Sequence, residues 1–223
     1  MTNLIVRGGR ALRGEITPSA NKNAVLPVLC ATLLTEAPVV LHRVPDITDV
    51  RKILDFYRKL GSSVDMDFES GTLRLHHHAD LDPEGAHLPM GMRSVLMLVP
   101  ALLHRFGHAT IEEDVTGCTL GAREIDPHIE VFRTFGAEVE RQPDQVAITL
   151  PRGFGAANHW LDYASVTTTE NFILCAATAK GSSRLTNAAC EPHVQEFCRF
   201  MAMIGVRIDG IGTSRLIVHG GSA

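Results

Sequence analysis

Three stretches of this chain end in the same way, and that recurrence limits the folds open to it more than any other feature. "LDFYRKLGSSVDMDFESGTLRL", "VFRTFGAEVERQPDQVAITL" and "FMAMIGVRIDGIGTSRLIVHG" each run a helical pattern into a glycine, then into two short segments joined by a turn. The glycines are Gly61, Gly136 and Gly205. A glycine just past a helix end suits the left-handed conformation that closes helices. The alternation in "VDMDF", "AEVERQ" and "VRIDG" predicts strands with one buried face.

The front of each unit matches as well. "NAVLPVLCATLLTEAPVVLHRVP", "RSVLMLVPALLHRFGHATIEED" and "ENFILCAATAKGSSRLTNAAC" each read as a helix apolar nearly all round, a turn and a strand. Such helices are buried. The second helices, in "DVRKILDFYRKL" and "PHIEVFRTF", carry charge on one side and are expected to face solvent there. Each unit is then a buried helix, a strand, an outer helix and a hairpin. The predicted class is α/β, an inside-out globe in which three units close around their own inner helices with the sheets outside. The units span about residues 22–88, 89–152 and 153–221.

The chain has 223 residues, enough for such a core. Its formal net charge is −4, so no overall positive field draws nucleic acid or an anionic membrane, and neither is an expected partner. No apolar run reaches the roughly 18 residues of a membrane span. The longest, "SVLMLVPALL", is broken by Pro100. No signal peptide opens the sequence, and the five cysteines lack any CxxC pair, so free thiols in a reducing cytoplasm are expected.

An anion site must therefore be local. Lys22 precedes the first buried helix, Arg93 starts the second, and Arg123 follows the glycine-flanked cysteine in "TGCTLGAREIDPH". Helix starts offer unpaired N–H groups, and a cation there adds full charge toward phosphate. Singly, each is an ordinary surface cation; three at matching places in three units are harder to dismiss. Cys118 sits between Gly117 and Gly121, with Arg123 placed to favour a thiolate; the alternative is a passive loop thiol. Cys30 and Cys175 lie in apolar helices and read as core. His76–His78 end a strand with no ligand set behind them, and no metal is expected. "DPH" at Asp126–His128 and "EPH" at Glu191–His193 read as helix starts capped by their acids. "PRGFGAAN" reads as an ordinary turn.

At these residues the sequence resembles the enolpyruvyl transferases, and within them the branch acting on UDP-N-acetylglucosamine. "LRGEITPSANKNAVLPVL", "MRSVLMLVPALLHRFGHA", "GCTLGAREIDPHIEVFRTFGA" and "ASVTTTENFILCAATAKGSSRLTNAACEP" carry the likeness over nearly the whole chain. The resemblance implies transfer of the enolpyruvyl group from phosphoenolpyruvate to the 3-hydroxyl of UDP-N-acetylglucosamine, for peptidoglycan synthesis, without cofactor. Lys22 and Arg123 would hold the phosphate and carboxylate of phosphoenolpyruvate, and Arg93 would help with phosphate. Asn23 would contact the reacting centre and the sugar. Cys118 would protonate C3 of the enolpyruvyl group and react with fosfomycin. Ser165 and Val166 would touch the diphosphate, and Glu124, Ile125 and Asp126 would flank the uracil.

Thr167 stands where the family usually has glycine, and Glu124 where it often has proline. Another nucleotide acceptor, such as UMP, therefore stays open, as does a non-catalytic domain that binds a nucleotide sugar or a partner protein. Family members are about twice as long and fold as two globes. Residues 1–21 belong, in them, to the second globe. The resemblance thus implies that this sequence is one half of the enzyme, whether a piece of a longer product, a truncated product or one chain of a split pair. A missing C-terminal half is an expected partner, and so is a second copy of the chain through the uncovered face.

Overall fold

"KNAVLPVLCAT" folds as helix α1 (Lys22–Thr32), and its residues from Ala24 onward are buried apart from Val25. Pro27 lies inside it and removes one backbone donor, a cost of about 3 kcal/mol in a helix interior. Burial of Leu26, Val28 and Leu29 offsets that, at about 1.5–3 kcal/mol for each large side chain fully removed from water. This is a computed structural model. It describes residues 5–83, 88–89, 92–112, 117–118, 121–122 and 125–221, with 117–118 and 121–122 as backbone only.

The unit begun by α1 continues with β1 (Val39–Leu41), α2 (Thr48–Lys59), β2 (Ser63–Asp67) and β3 (Thr72–His76). The second unit holds α3 (Val99–Phe106), β4 (His108–Glu112), a small hairpin of β5 (Gly117–Cys118) and β6 (Gly121–Ala122), α4 (Asp126–Thr134), β7 (Glu138–Arg141) and β8 (Gln145–Thr149). The third holds β9 (Asn158–Trp160), α5 (Val166–Thr178), β10 (Ser182–Thr186), α6 (Pro192–Met203), β11 (Arg207–Asp209) and β12 (Arg215–His219). The sheets run β1-β3-β2, β4-β8-β7 and β9-β10-β12-β11, so the hairpin's second strand lies in the middle each time. The repeat read from the sequence is the repeat of the fold. Gly61, Gly136 and Gly205 follow α2, α4 and α6 with φ of +91°, +98° and +101°, the conformation only glycine adopts without strain.

Helices gather at the centre. α5 packs against α3, α4 and α6, and α1 packs against α6. α5 is buried continuously from Thr168 to Ala177. The outer helices bury one stripe only: in α2 it is Val50, Ile53, Leu54, Phe56 and Tyr57. Each sheet turns one face inward, through Leu73 and Leu75, Val146 and Ile148, and Leu216 and Val218. Residues 5–20 form no helix or strand, and Ile5, Leu12 and Ile16 are all at least 82% exposed.

Two elements differ from the sequence reading. The second inner helix is not continuous: Arg93–Met97 forms a 3-10 turn before α3. Pro100 explains the break. It has no N–H to give the carbonyl of Leu96, and its ring crowds that carbonyl, so the preceding turn tightens. The glycine-rich stretch does begin with a turn, as read, but it leads into β9, a strand the sequence reading lacked, which pairs parallel with β10 at the sheet edge.

The acid caps also differ. Neither α4 nor α6 has a side-chain cap. Asp126 is the first residue inside α4 and pairs instead with Arg141 of β7, because a carboxylate there reaches the neighbouring hairpin's guanidinium. Cys30 and Cys175 are buried, as read, and so is Cys198; Cys190 is exposed. Among the described residues no helix is long and apolar enough to cross a membrane. No group of three or more His, Cys, Asp or Glu among them could hold a metal.

Candidate functional site

Lys22, Arg93, Asp126, Ser165 and Val166 stand at the starts of helical segments, and Cys118 on a hairpin. Lys22 is the first residue of α1, whose cap is Asn21: its Oδ1 accepts from the Asn23 N–H at 2.9 Å. The Lys22 ammonium meets Asp49 of α2 at 2.6 Å and is about half exposed. An incoming anion would therefore compete with Asp49 for it. Arg93 opens the 3-10 turn and is half-buried. Its charge acts on the His128 ring.

Cys118 lies on the β5–β6 hairpin, its backbone paired with Gly121. The hairpin runs into α4 a few residues later. Ile125, buried, is the residue before α4, and Asp126 is its first. Arg123 and Glu124 lie outside the described residues. Ser165 caps α5: its Oγ accepts from the Thr168 N–H at 3.3 Å and the Thr168 hydroxyl at 2.8 Å. Val166 is the first residue of that helix. The N–H groups of Val166 and Thr167 precede the one that Ser165 satisfies, so the helix end still offers donors.

His128 joins these starts. It is 1% exposed, and the Asn171 amide of α5 lies 2.8 Å from its Nδ1. The same amide nitrogen donates to the Leu96 carbonyl of the 3-10 turn at 3.1 Å. Burial, with the nearby Arg93 charge, pushes the His128 pKa down to about 3, so the ring is neutral. One buried side chain thus ties the starts of α4 and α5 to the 3-10 turn headed by Arg93. Glu170, also buried, is pushed up to about 8 by burial and by Glu191.

Sequence reasoning missed His128, Asn171 and Glu170. The signal available was "TTTEN", a run of five polar residues opening a helix that is otherwise apolar. Its members Thr168 to Asn171 are all fully or almost fully buried. A polar run on a buried helix is costly unless its groups find partners, which marks a built network.

The family model for EPSP synthase (3-phosphoshikimate 1-carboxyvinyltransferase) matches residues 6–223. The chain belongs to the enolpyruvyl transferase family. A curated relative, the UDP-N-acetylglucosamine 1-carboxyvinyltransferase of Bradyrhizobium diazoefficiens, is 39% identical over 220 residues, which is 97% of this chain and 49% of the relative. Among solved structures, the enolpyruvyl transferase NikO from Streptomyces tendae superposes with a TM-score of 0.79 at 20% identity, covering 96% of this chain and 50% of that one. EPSP synthase from Acinetobacter baumannii gives 0.71 at 17% identity, covering 96% and 48%. These two likenesses establish the enolpyruvyl transferase fold. The chain spans about half the length of the relatives it matches.

Proposed function

We propose that this chain is the cysteine-loop half of an enolpyruvyl transferase that moves the enolpyruvyl group of phosphoenolpyruvate to the 3-hydroxyl of UDP-N-acetylglucosamine, releasing phosphate. The observation that carries this reading is the 39% identity, over nearly the whole chain, to an enzyme named for that acceptor. Under it the protein works in the cytoplasm on a peptidoglycan precursor, a step on which cell shape and division depend.

The chemistry assigns each residue a task. The sugar hydroxyl attacks C2 of phosphoenolpyruvate while the Cys118 thiol gives its proton to C3, forming a tetrahedral adduct. Loss of a C3 proton then expels phosphate from C2 and restores the double bond. Phosphoenolpyruvate is small and highly charged, so fixed cations must offset its desolvation. Lys22, Arg93 and Arg123 fill that role. Asn23 contacts the reacting centre, Ser165 and Val166 the diphosphate, and Glu124, Ile125 and Asp126 the uracil. A hairpin as short as β5–β6 suits a thiol that closes over its substrates. The second globe supplies the base for the sugar hydroxyl and the fold to which residues 1–21 belong, so the chain alone is inactive or nearly so.

Intact mass after incubation with fosfomycin, with and without the UDP-sugar, tests this. A single adduct, enhanced by the sugar and lost in Cys118→Ser, is expected. Activity restored by adding a C-terminal half supports the enzyme; sustained turnover by the isolated chain refutes the half-site. One observation favours a second acceptor: the Thr167 hydroxyl lies 3.4 Å from His128 Nε2, at a position usually glycine in the family. UMP as acceptor in place of the UDP-sugar is the second reading. It is tested by exchanging the two in the complementation assay, and nucleotide binding without any turnover there marks a non-catalytic domain.

A further inference from the structure

The His128 ring has only one way to place its proton. Asn171 Nδ2 stands 2.8 Å from Nδ1, and an amide nitrogen only donates. Nδ1 is therefore the bare, accepting nitrogen. A neutral imidazole carries a single N–H, so the proton is on Nε2. Nε2 faces the Thr167 hydroxyl across a long contact of 3.4 Å, in which Oγ1 accepts. The amide itself is held by the Leu96 carbonyl at 3.1 Å, so the orientation is set from the 3-10 turn outward. With Oγ1 accepting from the ring, the Thr167 O–H proton is left to donate elsewhere. Among the described residues it meets no acceptor. Thr167 is the second residue of α5 and half-buried, at the helix end where donors remain.

We propose that Thr167 is a specificity-determining contact whose hydroxyl donates to a phosphate oxygen of the nucleotide, and that His128 is its positioning residue. This rests on the reading that the start of α5 meets the nucleotide's phosphates. The relay runs Leu96 carbonyl, Asn171 amide, His128 ring, Thr167 hydroxyl, ligand oxygen. It adds a directed side-chain donor beside the backbone N–H groups of the helix end and the Ser165 hydroxyl. Because the Asn171 amide meets both the His128 ring and the Leu96 carbonyl, the start of α5 is registered against the 3-10 turn and α4 before any ligand arrives.

Three substitutions separate this role from a merely structural one. Thr167→Val keeps the side chain's shape and removes the hydroxyl. His128→Asn keeps an acceptor for Asn171 but loses the N–H toward Thr167. His128→Gln keeps a donor at the Nε2 position but loses the Asn171 contact. The full chain is titrated calorimetrically with UDP and with UDP-N-acetylglucosamine, and urea unfolding is measured in parallel. Thr167→Val and His128→Asn are expected to weaken binding about tenfold, the loss of one hydrogen bond to a charged group, with stability near that of the parent. His128→Gln is expected to bind within about threefold of the parent while unfolding at lower urea. If the parent binds and Thr167→Val binds equally or more tightly, the proposal fails and the nucleotide reading stands. If affinity simply follows stability across the three variants, His128 is structural and the proposal fails. If the parent binds neither ligand, the nucleotide reading fails and takes this one with it.

Discussion

Glu170 is a carboxyl 1% exposed, and its Oε1 has no partner among the described residues. Burial and Glu191 raise its pKa from 4.5 to about 8. The folded chain therefore prefers the protonated acid more than the unfolded chain does. That contribution is complete below the unfolded value and is lost as pH rises through about 8. The loss is on the order of a few kcal/mol. Glu170→Gln keeps the shape of the neutral acid and cannot ionise. Urea unfolding is expected to show it more stable than the parent at about pH 9 and matched to it at about pH 4. An equal gain at both values would mean that titration is not the cause. His77 and His128 act oppositely: burial pushes both down to about 3, so their contribution holds above the ordinary histidine range and is lost as pH falls through about 3.

At the scale of elements, the end of each inner helix meets the end of a hairpin, and the side chain at the meeting point differs each time. At α1, Thr32 donates its hydroxyl proton to the Leu29 carbonyl and lies 2.9 Å from His77 Nε2; Ser62 Oγ lies 2.8 Å from Nδ1. Arg105 of α3 reaches across to the carbonyls of Leu33 at 2.8 Å, Thr35 at 3.2 Å and His78 at 3.3 Å. Arg105→Lys keeps the charge but loses the planar fork, and a destabilisation of about 1–3 kcal/mol in urea unfolding is expected. An unchanged midpoint would show that the fork is idle. At α3, Leu150 donates to the Gly107 carbonyl at 2.7 Å. At α5, Gly220 lies so close that a Cβ would stand 2.2 Å from the Ala176 carbonyl oxygen and 2.3 Å from that of Ala179. Gly220→Ala is expected to cost at least about 2 kcal/mol, since backbone rather than a flexible side chain must move. The helix-glycine-hairpin pattern was legible because periodicity and a left-handed glycine are local properties. These junctions were not, since Arg105 and Leu33 are far apart in sequence and nothing local pairs them. The 3-10 turn was not read either: "RSVLMLVPALLHRF" has one continuous apolar pattern, and Pro100 was weighed only against a membrane span.

For the whole molecule, the segment 5–20 adds apolar side chains that nothing in the described chain covers. Ile5 is 82% exposed, Leu12 97% and Ile16 90%. Burial of such side chains is what makes a segment matter to stability. Deleting residues 1–20 is therefore expected to change the unfolding free energy by less than about 0.5 kcal/mol, and to reduce any concentration-dependent self-association seen by sedimentation. A large loss of stability would mean that the segment packs on this globe. The candidate site was partly legible at this scale. Lys22 and Arg93 could be placed at helix starts because each directly precedes an apolar helical run; Ser165 came from the resemblance alone, and its role as a cap was not read from the sequence. The ring that joins the helix starts could not be placed, because a histidine in "DPH" carries no mark of the asparagine it will meet 43 positions later. Arg123 and Glu124 lie outside the described residues and stay with the resemblance.

The three junctions also bear on engineering. A hydrogen-bonded histidine, a buried leucine and a bare glycine stand at corresponding places. A copy of the first unit set in the third position would bring His77 to a point where not even a methyl group fits. The units share a fold and cannot exchange seats. A symmetrised version of this globe would have to choose one closure and rebuild the other two around it.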